Sequence, residues 1–144
     1  MTPSTGVADG LGVLAYLYVG VDDVERAVAF YQTALSAHLV WRFQAFETEV
    51  AAMRLNESGP LVLLAEHRPS PSCLPIWNVV DLEVARARLD TSGFSSDGQT
   101  VGTPDGPVHV FHDPDGNPLG LLQAKRPGAL ETAYADPGND NAVR

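Results

Sequence analysis

The chain has 144 residues, enough for one core of ordinary size and too few for two independent ones. Apolar residues make up 44% and charged residues 19%, near globular averages, which excludes wholesale disorder and fibrous repeats. Nine Lys plus Arg against 18 Asp plus Glu leave a net charge of -9, a field that repels polyanions. Lys125-Arg126 is the nearest thing to a basic cluster, so no nucleic-acid partner is expected. No apolar run, Leu61 to Ala65 included, approaches the roughly 20 residues that cross a bilayer, so no membrane partner is expected either. No secretory signal is visible in the first ten residues, and the single Cys73 allows no internal disulfide, so a cytoplasmic protein is expected.

Two blocks of the chain repeat at a constant offset of 58 residues. Val21, Asp23, Glu25, Ala27, Ala29 and Thr33 recur as Val79, Asp81, Glu83, Ala85, Ala87 and Thr91. Pro60, Leu61, Leu63 and Leu64 recur as Pro118, Leu119, Leu121 and Leu122. One offset across both blocks marks two copies of a single supersecondary unit.

In chain order, residues 1–11 show no periodicity and read as a mobile tail. The first unit, 12–67, opens with a strand at 15–21 and a helix capped by Asp22 with Glu25, whose stripe Val24, Ala27, Val28, Tyr31 and Leu35 is apolar. Strands at about 38–46, 48–55 and 60–66 follow, with Asn56-Glu-Ser-Gly59 as the last hairpin turn. Residues 68–72 form a linker of prolines and serines. The second unit, 73–124, starts with a strand at 74–80, in which Pro75 suits a strand start or edge. Its helix runs from Asp81 through Leu82, Ala85 and Leu89 to Gly93. Strands at about 95–101, 106–112 and 118–124 complete it, with Asp113-Pro-Asp-Gly116 in the matching turn. Residues 125–144, rich in Gly, Pro, Asn and Asp, read as a second mobile tail, with a docked element around Leu130 to Tyr134 as the alternative. The fold class is α+β, two tandem β-α-β-β-β modules making one domain.

The stretches VDDVERAVAFYQTAL and FHDPDGNPLGLL, with the offset repeat, resemble the vicinal-oxygen-chelate superfamily of glyoxalases, extradiol dioxygenases, fosfomycin-modifying enzymes and bleomycin-resistance proteins. The resemblance covers residues 14–124. It implies a mixed sheet curved into a cup, helices on the convex side and a ligand in the concavity. Fold alone does not fix the chemistry. The family's enzymes hold a metal with His, Gln or Glu at one position on the first and one on the last strand of each module. Carried onto this sequence, those positions are Tyr16, Val62, Leu74 and Gly120. A divalent site needs at least three good donors, and this set offers one phenol, so no metal and no other cofactor are expected. The remaining donors, His38, His67, His109, His112 and Glu66, do not converge; alternation puts His109 and His112 on opposite strand faces.

With those positions as anchors, period two gives the concave face of each strand. The candidate ligand-binding residues are Tyr16, Tyr18, Trp41, Arg54, Val62, Leu64, Glu66, Leu74, Ile76, Asn78, Val110, His112 and Gly120. Trp41 enters as a pocket wall on a strand whose facing stays open, because aromatics at 41, 43 and 46 fall on both parities. Trp77 goes to the core beneath the helices. A mostly apolar lining with a few polar groups is the composition of a small-molecule pocket. The expected function is metal-independent binding, sequestration or carriage of an aromatic or hydrophobic small molecule, such as an antibiotic-type natural product. On that reading Tyr18→Ala weakens binding in an intact fold. The alternative is a metal-free lyase, isomerase or cyclase, with His112 as general acid or base, Tyr16 or Tyr18 as proton donor and Arg54 as oxyanion stabiliser. A third reading is a metalloenzyme of the family with unusual ligands. The resemblance also implies a homodimer, and exposed edge strands would gain by pairing.

Overall fold

Both main helices begin at an aspartate that caps the first turn. Asp23 Oδ1 accepts the Arg26 N–H at 3.1 Å, and Asp81 Oδ1 accepts the Val84 N–H at 3.1 Å. The first cap is therefore Asp23 and not Asp22, because a capping carboxylate must reach the third amide beyond it. A second acceptor serves each helix start: Glu66 Oε2 takes the Val24 N–H at 2.9 Å, and Gln123 Oε1 takes the Leu82 N–H at 2.7 Å. The first helix closes with the Ala37 N–H on Tyr31 O and Ser36 at a φ of 56°. The second closes with the Phe94 N–H on Leu89 O and Gly93 at a φ of 90°, the left-handed conformation that glycine adopts most easily.

The computed structural model describes residues 11–45, 47–94, 96–124 and 126–144, with the backbone alone at 96–99. Apart from Leu11, the tail expected at 1–11 lies outside the described residues, as does Phe46. The elements are β1 Val13–Gly20, α1 Val24–Ala34, β2 His38–Ala45, β3 Thr48–Arg54, β4 Leu61–Ala65, β5 Ser72–Asn78, α2 Leu82–Thr91, β6 Ser96–Thr103, β7 Gly106–His112, β8 Pro118–Leu122 and α3 Ala129–Ala135. The α+β pattern β-α-β-β-β is present twice. The compact units differ slightly from the modules: among the described residues, one joins Ala15–Pro75 with Arg126–Arg144, the other joins 11–14 with 76–124.

In the first unit the strand order is β2-β3-β4-β1, with β1 and β4 parallel and the other pairs antiparallel. Helix α1 packs Val24 and Val28 onto Ala51, Met53, Val62 and Leu64, with Val19, Val21 and Leu39 beside them. In the second unit the order is β5-β8-β7-β6, again with one parallel pair, β5 with β8. There Ala85 of α2 packs on Val79, Phe111 and Leu121, and Trp77, Leu82, Leu89 and Leu119 join the cluster. Trp77 is a core residue, as its parity indicates.

Register corrects one strand. Val62 and Leu64 lie under α1 with Val19 and Val21, so they do not share the face of Tyr16 and Tyr18. Glu66, which caps α1, leaves that face with them. The cause is a loop-length difference. Arg54 pairs with Leu61, leaving residues 55–60 in the first loop, whereas His112 pairs with Pro118, leaving 113–117 in the second. The structural offset of β4 against β8 is therefore 57, and the equivalence of Glu66 with Gln123 shows it. A one-residue slip turns every side chain of a strand to the other face.

The shorter second loop is tightly bonded. Asp113 accepts the N–H groups of Asp115 at 2.9 Å and Asn117 at 2.8 Å, and the Asn117 side-chain amide at 2.9 Å. These bonds, the Asn117 side chain first, hold its carboxyl below the usual range.

Residues beyond 125 are not a tail without structure. Helix α3 packs on β2, where Tyr134 meets the Phe43 ring edge-on with centroids 5.7 Å apart. Past the helix, Ala142 bridges to Phe43, the Gln44 N–H donates to Asn141 O at 2.8 Å, and the Val143 N–H donates to Arg42 O at 2.9 Å. An aromatic anchor and a strand edge with unsatisfied backbone groups outweigh the polar composition of the segment.

Candidate functional site

On the first unit, the face turned away from α1 is built from cross-strand rows. The register Tyr18↔Leu63, Leu63↔Ala52 and Ala52↔Trp41 carries one row over four strands. All four side chains are buried, Tyr18, Ala52 and Trp41 to 0% exposure and Leu63 to 1%. Ala52 is the small member, standing between Leu63 and Trp41. Trp41 reaches this face through a bulge. Leu39 pairs with Met53 on the helix side and Trp41 with Ala52 on the other, so residues two apart on β2 face opposite ways. That bulge is why alternation alone leaves the strand's facing open.

The next row toward the start of β1 is Tyr16, Leu61, Arg54 and His38. Tyr16 and Arg54 are half-buried and stand two strands apart, about 10 Å between backbones. The row on the other side is Gly20, Ala65, Val50 and Phe43, with Tyr134 on the Phe43 ring and Trp41 5.5 Å from it. Leu74 is buried and shares its β5 face with Ile76. The structure thus brings Tyr16, Tyr18, Trp41 and Arg54 to one face of the first unit.

On the second unit, Ile76, Gly120 and Val110 form a row on the face turned away from α2, all three buried. Asn78 is engaged in the framework: its Oδ1 accepts the Ala124 N–H at 3.1 Å. His112 is exposed at the end of β7, paired with Pro118.

Sequence reasoning missed the polar cluster over Tyr18. The Tyr18 hydroxyl is hydrogen-bonded to His67 Nε2 at 2.5 Å, and His67 Nδ1 lies 3.4 Å from Thr48 Oγ1. The Arg68 guanidinium lies 5.6 Å from the Tyr18 ring centroid, within cation-π range, and its buried Nε has no hydrogen-bond partner among the described residues. Burial pushes the Tyr18 phenol well above its ordinary value of 10.0, and Arg68 offsets this only in part. The phenol thus keeps its proton, in contact with the exposed His67. The pairing spans 49 residues of sequence. Its only sequence signal is the His67-Arg68 dipeptide at the end of a strand.

The raised phenol has a consequence for stability at alkaline pH. The unfolded chain loses the Tyr18 proton near pH 10.0 and the folded chain keeps it, so the contribution is complete below that pH and falls as pH rises above it. Tyr31 is raised too, by burial first and Cys73 second. Thermal melts between pH 8 and 11 should therefore show a fall in Tm above about pH 10 that Tyr18→Phe reduces without abolishing. Parallel profiles for the two proteins would contradict this.

Residues 13–121 match the profile of the Glyoxalase/Bleomycin resistance protein/Dioxygenase superfamily. The chain belongs to this superfamily. Among solved structures it is similar to methylmalonyl-CoA epimerase from Mycobacterium tuberculosis, with 16% identity over 79% of this chain and 89% of that one and a TM-score of 0.64. A variant of the Streptomyces coelicolor methylmalonyl-CoA epimerase, in complex with 2-nitronate-propionyl-CoA, gives 14%, 81%, 96% and 0.65. A hypothetical protein from Bacillus halodurans gives 15%, 78%, 94% and 0.59. At these identities the likeness carries the fold and not the chemistry. A comparison with curated proteins returned no match.

The superfamily's metal can be tested against the residues at its positions. Register replaces Val62 by Leu63 on the face of Tyr16, so the set becomes Tyr16, Leu63, Leu74 and Gly120. Leucine and glycine side chains donate nothing to a cation, and the correction leaves one phenol as before. Among the described residues no three of His, Cys, Asp and Glu gather as a metal-binding group. The residues present do not fit the superfamily's metal.

Proposed function

We propose that this superfamily member binds an aromatic or otherwise hydrophobic small molecule without a metal, as a sequestering or carrying protein. The observation that carries the reading is the donor-poor set Tyr16, Leu63, Leu74 and Gly120. The half-buried Tyr16 and Arg54, which share a row, support it. A tyrosine ring offers a flat apolar surface, and a guanidinium fixes a carbonyl or carboxylate. An antibiotic-type natural product is one ligand of this class. A cytoplasmic setting belongs to the same proposal.

Tyr18 is not the residue with which to probe it. The side chain is fully buried, so truncation to alanine opens a cavity and costs stability before it reports on a ligand. A panel of aromatic ketones, phenols and carboxylates, screened by thermal shift and followed by calorimetric titration, is the test. Tyr16→Ala and Arg54→Ala should each weaken the hit by about 1 kcal/mol, roughly fivefold in Kd, and chromatography should recover the compound unchanged. Unchanged affinity in both folded variants would contradict the placement.

The Tyr18–His67 pair favours a second reading, a metal-free lyase, isomerase or cyclase in which the exposed His67 exchanges a proton with the substrate and the buried Tyr18 holds its ring. Conversion of the recovered compound would replace the binding reading by this one.

A further inference from the structure

We infer that the C-terminal segment is a latch on the outer edge of β2, and that its release frees this edge to pair with a second copy of the chain. The backbone bonds from Arg42 and Gln44 to residues 141–143 are of the kind that another strand would make. An unlatched β2 would present Leu39-Val-Trp-Arg-Phe43, an apolar and β-prone stretch, with open backbone groups. Its one charge there, Arg42, is already paired within the sheet with Glu49. Antiparallel pairing of two β2 strands about a two-fold axis at Phe43 sets Arg42 opposite Gln44, so no like charges meet. The edge is therefore competent for a second copy and occupied by the chain itself.

Tyr134 holds the latch closed. Its ring packs on Phe43, its hydroxyl donates to Val143 O at 2.7 Å, and the Arg144 guanidinium lies 4.9 Å from its centroid. Arg144 also donates to Tyr134 O at 2.6 Å and Asp136 O at 2.9 Å. Neither residue belongs to the clusters under α1 or α2, so both can be changed in a folded chain.

Amide hydrogen exchange and sedimentation of the full chain, parent against Tyr134→Ala and Arg144→Ala, test the inference. Exchange at Gln44 and Val143 should accelerate about tenfold or more in Tyr134→Ala, and the sedimenting mass should double with rising concentration. Arg144→Ala should move both readouts in the same direction by less. A free peptide of residues 129–144 should reverse the doubling. Opened amides with the parent's mass would overturn the pairing, and unchanged exchange in both variants would overturn the latch.

Discussion

Gly20→Ala should be the most damaging single methyl in the first unit. A Cβ on Gly20 would lie 1.8 Å from Pro69 O, 2.6 Å from Pro69 C and 2.8 Å from Ser72 Oγ. Pro69 is backbone here, and Ser72 donates its hydroxyl to the same carbonyl, so the 69–72 turn is held against β1 at the point where the methyl must go. Rotating a side chain gives no relief; the turn or the strand must shift by more than an ångström. Overpacking commonly costs about 1–3 kcal/mol, and a clash with backbone belongs at or above the upper end. The expected fall in Tm is about 10 °C or more for a chain of this size, read by differential scanning calorimetry. A melt within about 2 °C of the parent would mean that the turn does not close over Gly20.

Trp41→Ala should follow closely. The indole is the largest fully buried side chain, and it packs between Ala52 and Phe43. Truncation of a buried tryptophan removes its transfer energy and leaves a cavity, about 3–5 kcal/mol by denaturant unfolding. Trp41 Nε1 is buried without a hydrogen-bond partner among the described residues, and an unsatisfied donor itself costs about 1–3 kcal/mol. Trp41→Phe removes that donor while keeping an aromatic ring, so its loss should be much the smaller, about 1 kcal/mol or less. Equal losses for the two substitutions would show that the indole N–H is satisfied after all.

Much of this architecture is legible in the chain because it is written twice. Asp23 and Asp81, 58 residues apart, both cap helices, and Val21 and Val79 both pack beneath them. The repeat misleads where two effects coincide. Pro60-Leu-x-Leu-Leu and Pro118-Leu-x-Leu-Leu align without a gap, yet the loop before β4 is one residue longer than the loop before β8. Because alternation has period two, that residue moves Val62, Leu64 and Glu66 off the candidate face and brings Leu61 and Leu63 onto it. Glu66 and Gln123, 57 residues apart and each following an apolar strand, were the available sign of the slip.

Other features needed three dimensions. The bulge between Leu39 and Trp41 is not marked by glycine or proline, so nothing in the sequence told which aromatics of β2 share a face with Tyr18. The Tyr18–His67 contact joins a β1 side chain to the residue two past the end of β4, a meeting that depends on the parallel register of the two strands. Helix α3 is only seven residues long and draws its stability from Phe43 and the β2 edge, so local propensity hides it.

With Tyr16, Leu63, Leu74 and Gly120 at the superfamily's metal positions, binding of a divalent ion there is not expected. This expectation is tested most directly by stripping the purified protein with a chelator, dialysing it against Zn2+, Co2+, Ni2+ and Mg2+ in turn, and measuring bound metal per chain together with Tm. Less than about a tenth of an equivalent and an unchanged melt are expected for each ion, since the phenol is the one side-chain donor at these four positions. One equivalent of any of them, with a raised Tm that Tyr16→Phe diminishes, would contradict it and restore a metalloenzyme.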